Sequence, residues 1–156
     1  MLQKLFLAGF SALALLNLSG CTNDSATYFI DDDRQHNITL MREQQAFWNK
    51  KIDLSIVVSR MPHCTRIHTL GYGVDSSKVE LYQVPSGAYI VKLGQHLFAT
   101  ETETCEGWAE IKALDENGEP PGGMGIFQGT FKEKNGDLIF ERAKKESNIN
   151  DKQNQQ

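Results

Sequence analysis

The chain has 156 residues, a formal net charge of −4, and 40% hydrophobic against 23% charged residues. That length suits a single domain with enough apolar material to fill one core. The acidic balance gives no electrostatic footprint for nucleic acid and argues against docking on anionic lipid through charge.

The chain opens with "MLQKLFLAGFSALALLNLSGC": a cation at Lys4, an apolar run from Leu5 to Leu16 interrupted only by Gly9 and Ser11, then small residues before a cysteine. This is the layout of a secretory signal peptide, assigned here to residues 1–20. The run is shorter than the roughly 20 apolar residues that span a bilayer, and no later segment is long and apolar enough. The stretch "LSGC" resembles the lipobox of bacterial lipoproteins. Small Ser19 and Gly20 admit the processing peptidase, and the thiolate of Cys21 is the nucleophile that takes up lipid. The resemblance implies cleavage before Cys21 and a lipidated N-terminus whose acyl chains exceed the two signals that stable anchoring requires. Thr22, where an Asp would hold a lipoprotein at the inner membrane, implies the periplasmic face of the outer membrane. Removing residues 1–20 leaves 136 residues, 15 basic against 20 acidic, and a formal charge of −5.

Residues 22–36, "TNDSATYFIDDDRQH", are mostly polar and close on three aspartates, so a tether over 21–36 is expected to lift the domain off the membrane, with the carboxylates solvated. From 37 to 142 the pattern alternates with period two. In "IDLSIVVS", Ile52, Leu54, Ile56 and Val58 fall on one face while Asp53, Ser55 and Ser59 fall on the other. Similar runs are "NITLMRE", "TRIHTL", "KVELYQV", "AYIVKL", "HLFATETET", "WAEIKAL", "GIFQGTF" and "DLIFER", separated by turn clusters such as "VDSS", "PSG", "LGQ" and "ENGEPPGG". "MREQQAFWNKK" is expected to be a hairpin connection with Phe47 and Trp48 folding back on the core. In the last hairpin Phe127 and Phe131 are expected to share a face, "KEKNG" to turn the chain, and Leu138 and Phe140 to return. Gly125 and Gly129 would let that strand bend. The expected fold is all-β, a small antiparallel barrel or sandwich of about eight short strands. The tail 143–156, "AKKESNINDKQNQQ", has hardly any apolar residue and is expected to be disordered.

Cys64 and Cys105 form an even pair, which in an oxidising envelope compartment implies a disulfide. It would close a loop of about 42 residues, a constraint of about 4 kcal/mol in chain entropy. A metal set of Met61, His63, Cys64 and His68 is the rival, but it lacks the paired spacing of a structural zinc site. No metal and no cofactor are expected.

"TETETCE" sets Glu101 and Glu103 close together, as an acid and base pair would be, although a solvated strand face accounts for them. The histidines are His36, His63, His68 and His96, and no G-x-S-x-G elbow accompanies them. Asp115, Asn117 and Glu119 alternate like calcium ligands without the closing glutamate of a calcium loop, which leaves a long hairpin turn. The segment "VPSGAYIV", residues 84–91, resembles the "SGA-x-Y" segment of the membrane-bound inhibitors of c-type lysozyme, small lipoproteins with a β-barrel and a disulfide. That resemblance implies a contact loop at Ser86 and Gly87.

These readings converge on an envelope-anchored lipoprotein with a non-catalytic binding or structural role, held to the membrane by lipid and pairing with an envelope protein through its sheet surface. Tyr82, Tyr89 and Trp108 are the candidate contact aromatics, because alternation cannot bury every apolar side chain on one face; Ser86 joins them. The alternatives are a periplasmic lysozyme inhibitor working through Ser86, and an enzyme acting on envelope glycans through Glu101 or Glu103.

Overall fold

The computed structural model describes residues 23–144 apart from Phe47 and Asp75. The expected signal peptide, the expected lipidation at Cys21 and nearly all of the tail lie outside the described residues. Period-two patterning becomes ten strands: β1 (Asn23–Phe29), β2 (His36–Glu43), β3 (Ile52–Arg60), β4 (Cys64–Gly73), β5 (Val79–Gln83), β6 (Tyr89–Leu93), β7 (His96–Thr100), β8 (Trp108–Glu110), β9 (Ile126–Lys134) and β10 (Asp137–Arg142). They form two antiparallel sheets, ordered β1-β2-β3-β4 and β10-β9-β5-β6-β7-β8, so the all-β class holds in a sandwich-like arrangement. No helix among the described residues is long and apolar enough to cross a membrane.

The core lies between the sheets. From the first sheet come Ile38, Leu40, Ile52, Leu54, Ile56 and Val58; from the second come Val79, Leu81, Tyr89, Val91 and Phe131. Each such side chain stabilises the fold by about 1.5–3 kcal/mol on burial. Two seams join the sheets. Along one, Asp24 of β1 accepts from the Leu138 backbone N–H of β10 at 2.9 Å, and the Tyr28 ring packs on Phe140 with centroids 5.0 Å apart. Along the other, Cys64 of β4 is bonded to Cys105 in the connection after β7. The sequence expectation of that disulfide is met, and Cys64 is not part of a metal set.

The strand ends define two poles. Pairing places Asn23, Glu43, Asp53 and Tyr72 in one row at the pole where β1 begins. The connections 44–51, 74–78, 94–95 and 135–136 lie at that entry pole, and 30–35, 61–63, 84–88 and 101–107 lie at the far one.

Five expectations need correction. The stretch expected to be a tether is a strand from Asn23 onward, paired with β2 over its whole length. Its inward positions are Ala26 and Tyr28, with Ile30 following in a short 3-10 turn, all buried. Trp48 does not fold back on the core; it is 76% exposed. Phe127 and Phe131 do not share a face: Leu81 pairs with Gly129 but Tyr82 pairs with Phe127, so one extra residue is inserted in β9. Such a bulge flips the alternation beyond it, leaving Phe131 fully buried and Phe127 40% exposed. Gly129 carries the bend at φ +150°, where an added Cβ would lie 2.3 Å from the Glu141 carbonyl oxygen. Finally, Tyr89, expected as an exposed contact aromatic, is 1% exposed in the core. The last hairpin turns more tightly than "KEKNG" implied, on Asn135 and Gly136 alone, with Lys134 paired to Asp137. Both turn residues have positive φ, the two-residue Asn-Gly geometry that matches strand twist.

Candidate functional site: a groove on the outer face of the second sheet

β8 is the edge strand of its sheet, whereas β9 lies three strands away beyond β7, β6 and β5. The intervening chain, 111–125, therefore has to cross that sheet on its outer face, since the inner face holds the core. It begins by extending the ladder, with the Ile111 N–H donating to the Leu97 carbonyl at 2.8 Å. It then turns around Asp115, whose Oδ1 accepts from the Asn117 and Glu119 backbone N–H groups at 2.8 and 2.9 Å. These bonds, the one from Glu119 foremost, outweigh desolvation and hold the Asp115 carboxyl below its usual range. Asp115 thus organises its own turn, as the hairpin reading of that stretch requires.

The returning limb runs through Pro120, Pro121, Gly122 and Gly123 and re-enters the sheet at Gly125. There φ is +81°, and an added Cβ would come within 2.4 Å of the Gln83 carbonyl oxygen. The crossing covers outward side chains of β6 and β7: Ile90 is 4% exposed and Leu97 2%. It stops short of the β5–β6 hairpin. That hairpin is built on Val84–Ala88, with the Gly87 N–H donating to the Val84 carbonyl at 2.9 Å and the Val84 N–H to the Ala88 carbonyl at 3.0 Å. Pro85 at the second turn position and Gly87 at φ +86° suit a type I turn closed by a glycine bulge.

Between the hairpin and the Pro120–Gly123 limb lies an open groove of about 460 Å³, within the size range of ligand sites. Val84, Pro85, Ala88, Ile90, Ile111 and Pro120 supply its apolar walls, and only Ser86 and Tyr89 of the lining residues carry a polar side-chain atom. No acidic or basic side chain lines it. Beside it the bulge in β9 turns Phe127 outward onto Tyr82, centroids 5.2 Å apart, while its neighbour Ile126 alternates to the opposite face. The Tyr82 hydroxyl donates to Glu80 at 3.0 Å. Burial first, and then that carboxylate, push the phenol up to about 12, so it stays a neutral donor.

The residues singled out from sequence are thus partly gathered and partly dispersed. Ser86 is exposed on the groove's rim and Tyr82 lies half-buried beside it, but Tyr89 reaches it only from beneath. Trp108 lies elsewhere, as the middle ring of a stack with Phe98 and His68, each neighbouring centroid 5.0 Å away. Ile111, Pro120 and Pro121 were not singled out. The signal for them was the "PPGG" pair of dipeptides in a connection too long for a simple hairpin.

Glu101 and Glu103 do not form a catalytic pair in a cleft. β7 ends at Thr100, and Glu101 turns back to hold the following loop. Its carboxylate accepts from the backbone N–H groups of Glu103 (2.7 Å), Thr104 (2.9 Å) and Gly107 (2.9 Å), and from the Thr104 hydroxyl (2.7 Å). Burial alone would raise its pKa, but these donors outweigh it and hold the group at about 2. A folded pKa below the usual 4.5 means that the contribution to stability is full above that value and is lost as pH falls from it toward 2. Glu101→Gln should therefore flatten the acid limb of the stability curve over that window, with little change in midpoint slope near neutrality. Urea titrations at stepped pH check this, and an unchanged acid limb would refute the role. The same loop is clasped by His36, with Nε2 2.7 Å from Thr102 Oγ1, and by His68, with Nε2 2.9 Å from the Cys105 carbonyl.

Among the described residues there is no group of three or more His, Cys, Asp or Glu side chains able to hold a metal ion. No family model matches the chain, and no curated protein or solved structure matches it either.

Proposed function

We propose that this chain is an envelope-anchored lipoprotein of the outer membrane whose domain binds an apolar segment of a partner protein in the groove, without catalysis. The observation that carries the reading is a groove lined by no charged side chain, with Phe127 turned outward onto Tyr82 beside it, in a chain with 23% charged residues. Exposed contiguous apolar surface with a polar rim is the mark of a docking site. The groove opens beside the 84–88 connection at the far pole, where an anchored domain presents its surface to the periplasm.

The test uses a photo-crosslinking residue at position 127 in the full-length chain in cells, with a control at Ser25 on the outer face of the first sheet. A discrete adduct at 127, absent at Ser25 and lost when Ala88→Glu places a charge in the groove, is the expected result. Adducts indifferent to that charge would refute the groove, and cleavage of peptidoglycan fragments that disappears with Glu103→Gln would refute the absence of catalysis.

The exposure of Ser86 beside Gly87 at the hairpin tip favours one further reading, inhibition of lysozyme by an inserted loop. Dose-dependent protection in a lysozyme lysis assay, abolished by Ser86→Arg, would support it.

A further inference from the structure

We propose that the entry pole rests directly on the bilayer, with Trp48 and Tyr72 seated in the headgroup layer. The inference goes beyond the anchored-binder reading and rests on it for the position of the lipid. β1 begins at Asn23, so Thr22 alone separates the domain from Cys21, a reach of at most about 7 Å. There is no tether to lift the domain away. Nor can β1 peel off to make one: Arg42 donates through Nε and Nη2 to both Asp24 carboxylate oxygens at 2.8 and 2.6 Å, and Nη2 also reaches the Gly136 carbonyl. A lipidated Cys21 therefore brings this pole, and no other surface, to the membrane.

The chemistry of the pole agrees. Trp48 is 76% exposed and Tyr72 71%, two of the three large apolar side chains most open to solvent among the described residues, and both lie in or beside its connections. Aromatic rings with one polar atom favour the membrane–water interface. Lys51 lies over the Tyr72 ring, Nζ 5.8 Å from its centroid, a pairing that sets an ammonium beside the ring at headgroup height.

The experiment takes the full-length chain purified from membranes in detergent, with intact mass reporting acylation of Cys21. The protein is reconstituted into phosphatidylethanolamine–phosphatidylglycerol vesicles with and without brominated acyl chains, which quench tryptophan at short range. Quenched emission that disappears in Trp48→Phe is expected, because the remaining Trp108 lies at the far pole and serves as the internal reference. An acylated, vesicle-bound chain whose Trp48 emission is unaffected would overturn the seating while leaving the anchor intact. A chain found without acylation would instead remove the anchor, and vesicle sedimentation then decides: binding weakened by Trp48→Ala or Tyr72→Ala sustains the seating, and no binding overturns it.

Discussion

Asp24→Ala should lower stability by roughly 3 kcal/mol, far more than a surface residue near the start of a domain would. Arg42 is 2% exposed, and Asp24 is its bidentate partner. Removing the carboxylate leaves a guanidinium charge out of water with the Gly136 carbonyl still in reach at 3.2 Å, and it strips the Leu138 N–H of its acceptor. Breaking a buried pair by deleting one partner costs about 3–5 kcal/mol, and the partial exposure of Asp24 places this case at the low end. Lys132→Ala, which removes the exposed pair with Glu141, should cost less than about 1 kcal/mol. Urea denaturation measures both. The pH dependence adds a second readout. Burial pushes the Asp24 carboxyl up, but the Arg42 hydrogen bonds, the Leu138 N–H and the Arg42 charge together hold it below 3.8. The stability it contributes is then present above that pH and lost as pH falls through the folded value, so the acid limb should flatten in the variant. A loss no larger than that of Lys132→Ala would mean that β1 is not integral to the fold.

That β1 was legible only as a tether has a physical reason. Its inward residues are Ala26 and Tyr28, separated by short hydroxyl side chains, so the apolar contrast between the two faces is small. Besides its ladder with β2, it is held by the Asp24–Arg42 pair, a long-range contact that no local pattern reveals. By contrast β3 alternates Ile52, Leu54, Ile56 and Val58 with small or polar residues and was readable outright. The face of Phe127 was misassigned because parity counting assumes an unbroken ladder, and the extra residue beside Gly129 breaks it. The groove was invisible for a topological reason: it exists because β8 and β9 are not neighbours and their connection must climb over the sheet. From sequence that same connection is only a long turn. Ser86 was found because a hairpin tip is local; Ile111 and Pro120 were missed because they meet it only through the crossing.

Opening the Cys64–Cys105 bond should destabilise the domain by about 4 kcal/mol, the chain-entropy cost of freeing a loop of about 42 residues in the unfolded state. The bond also fixes the far-pole seam between the sheets. Cys105 is fully buried at φ +61°, its carbonyl lies 2.9 Å from His68 Nε2, and the same loop carries Thr102 beneath His36. Reduced wild-type protein isolates the cross-link alone, whereas Cys64→Ala with Cys105→Ala adds the lost contacts of a buried sulfur, so the double variant should be the less stable of the two. The urea midpoint should fall in both. The Phe98–Trp108–His68 stack borders this loop, so a red shift and loss of near-ultraviolet circular dichroism from Trp108 should accompany reduction even below the unfolding transition. Trp48, at the opposite pole, serves as the unperturbed reference. Reduction that costs less than about 1 kcal/mol, a small fraction of what the loop length implies, or that leaves the Trp108 signal unchanged, would show that the hydrogen bonds from His36 and His68 hold the seam without the disulfide.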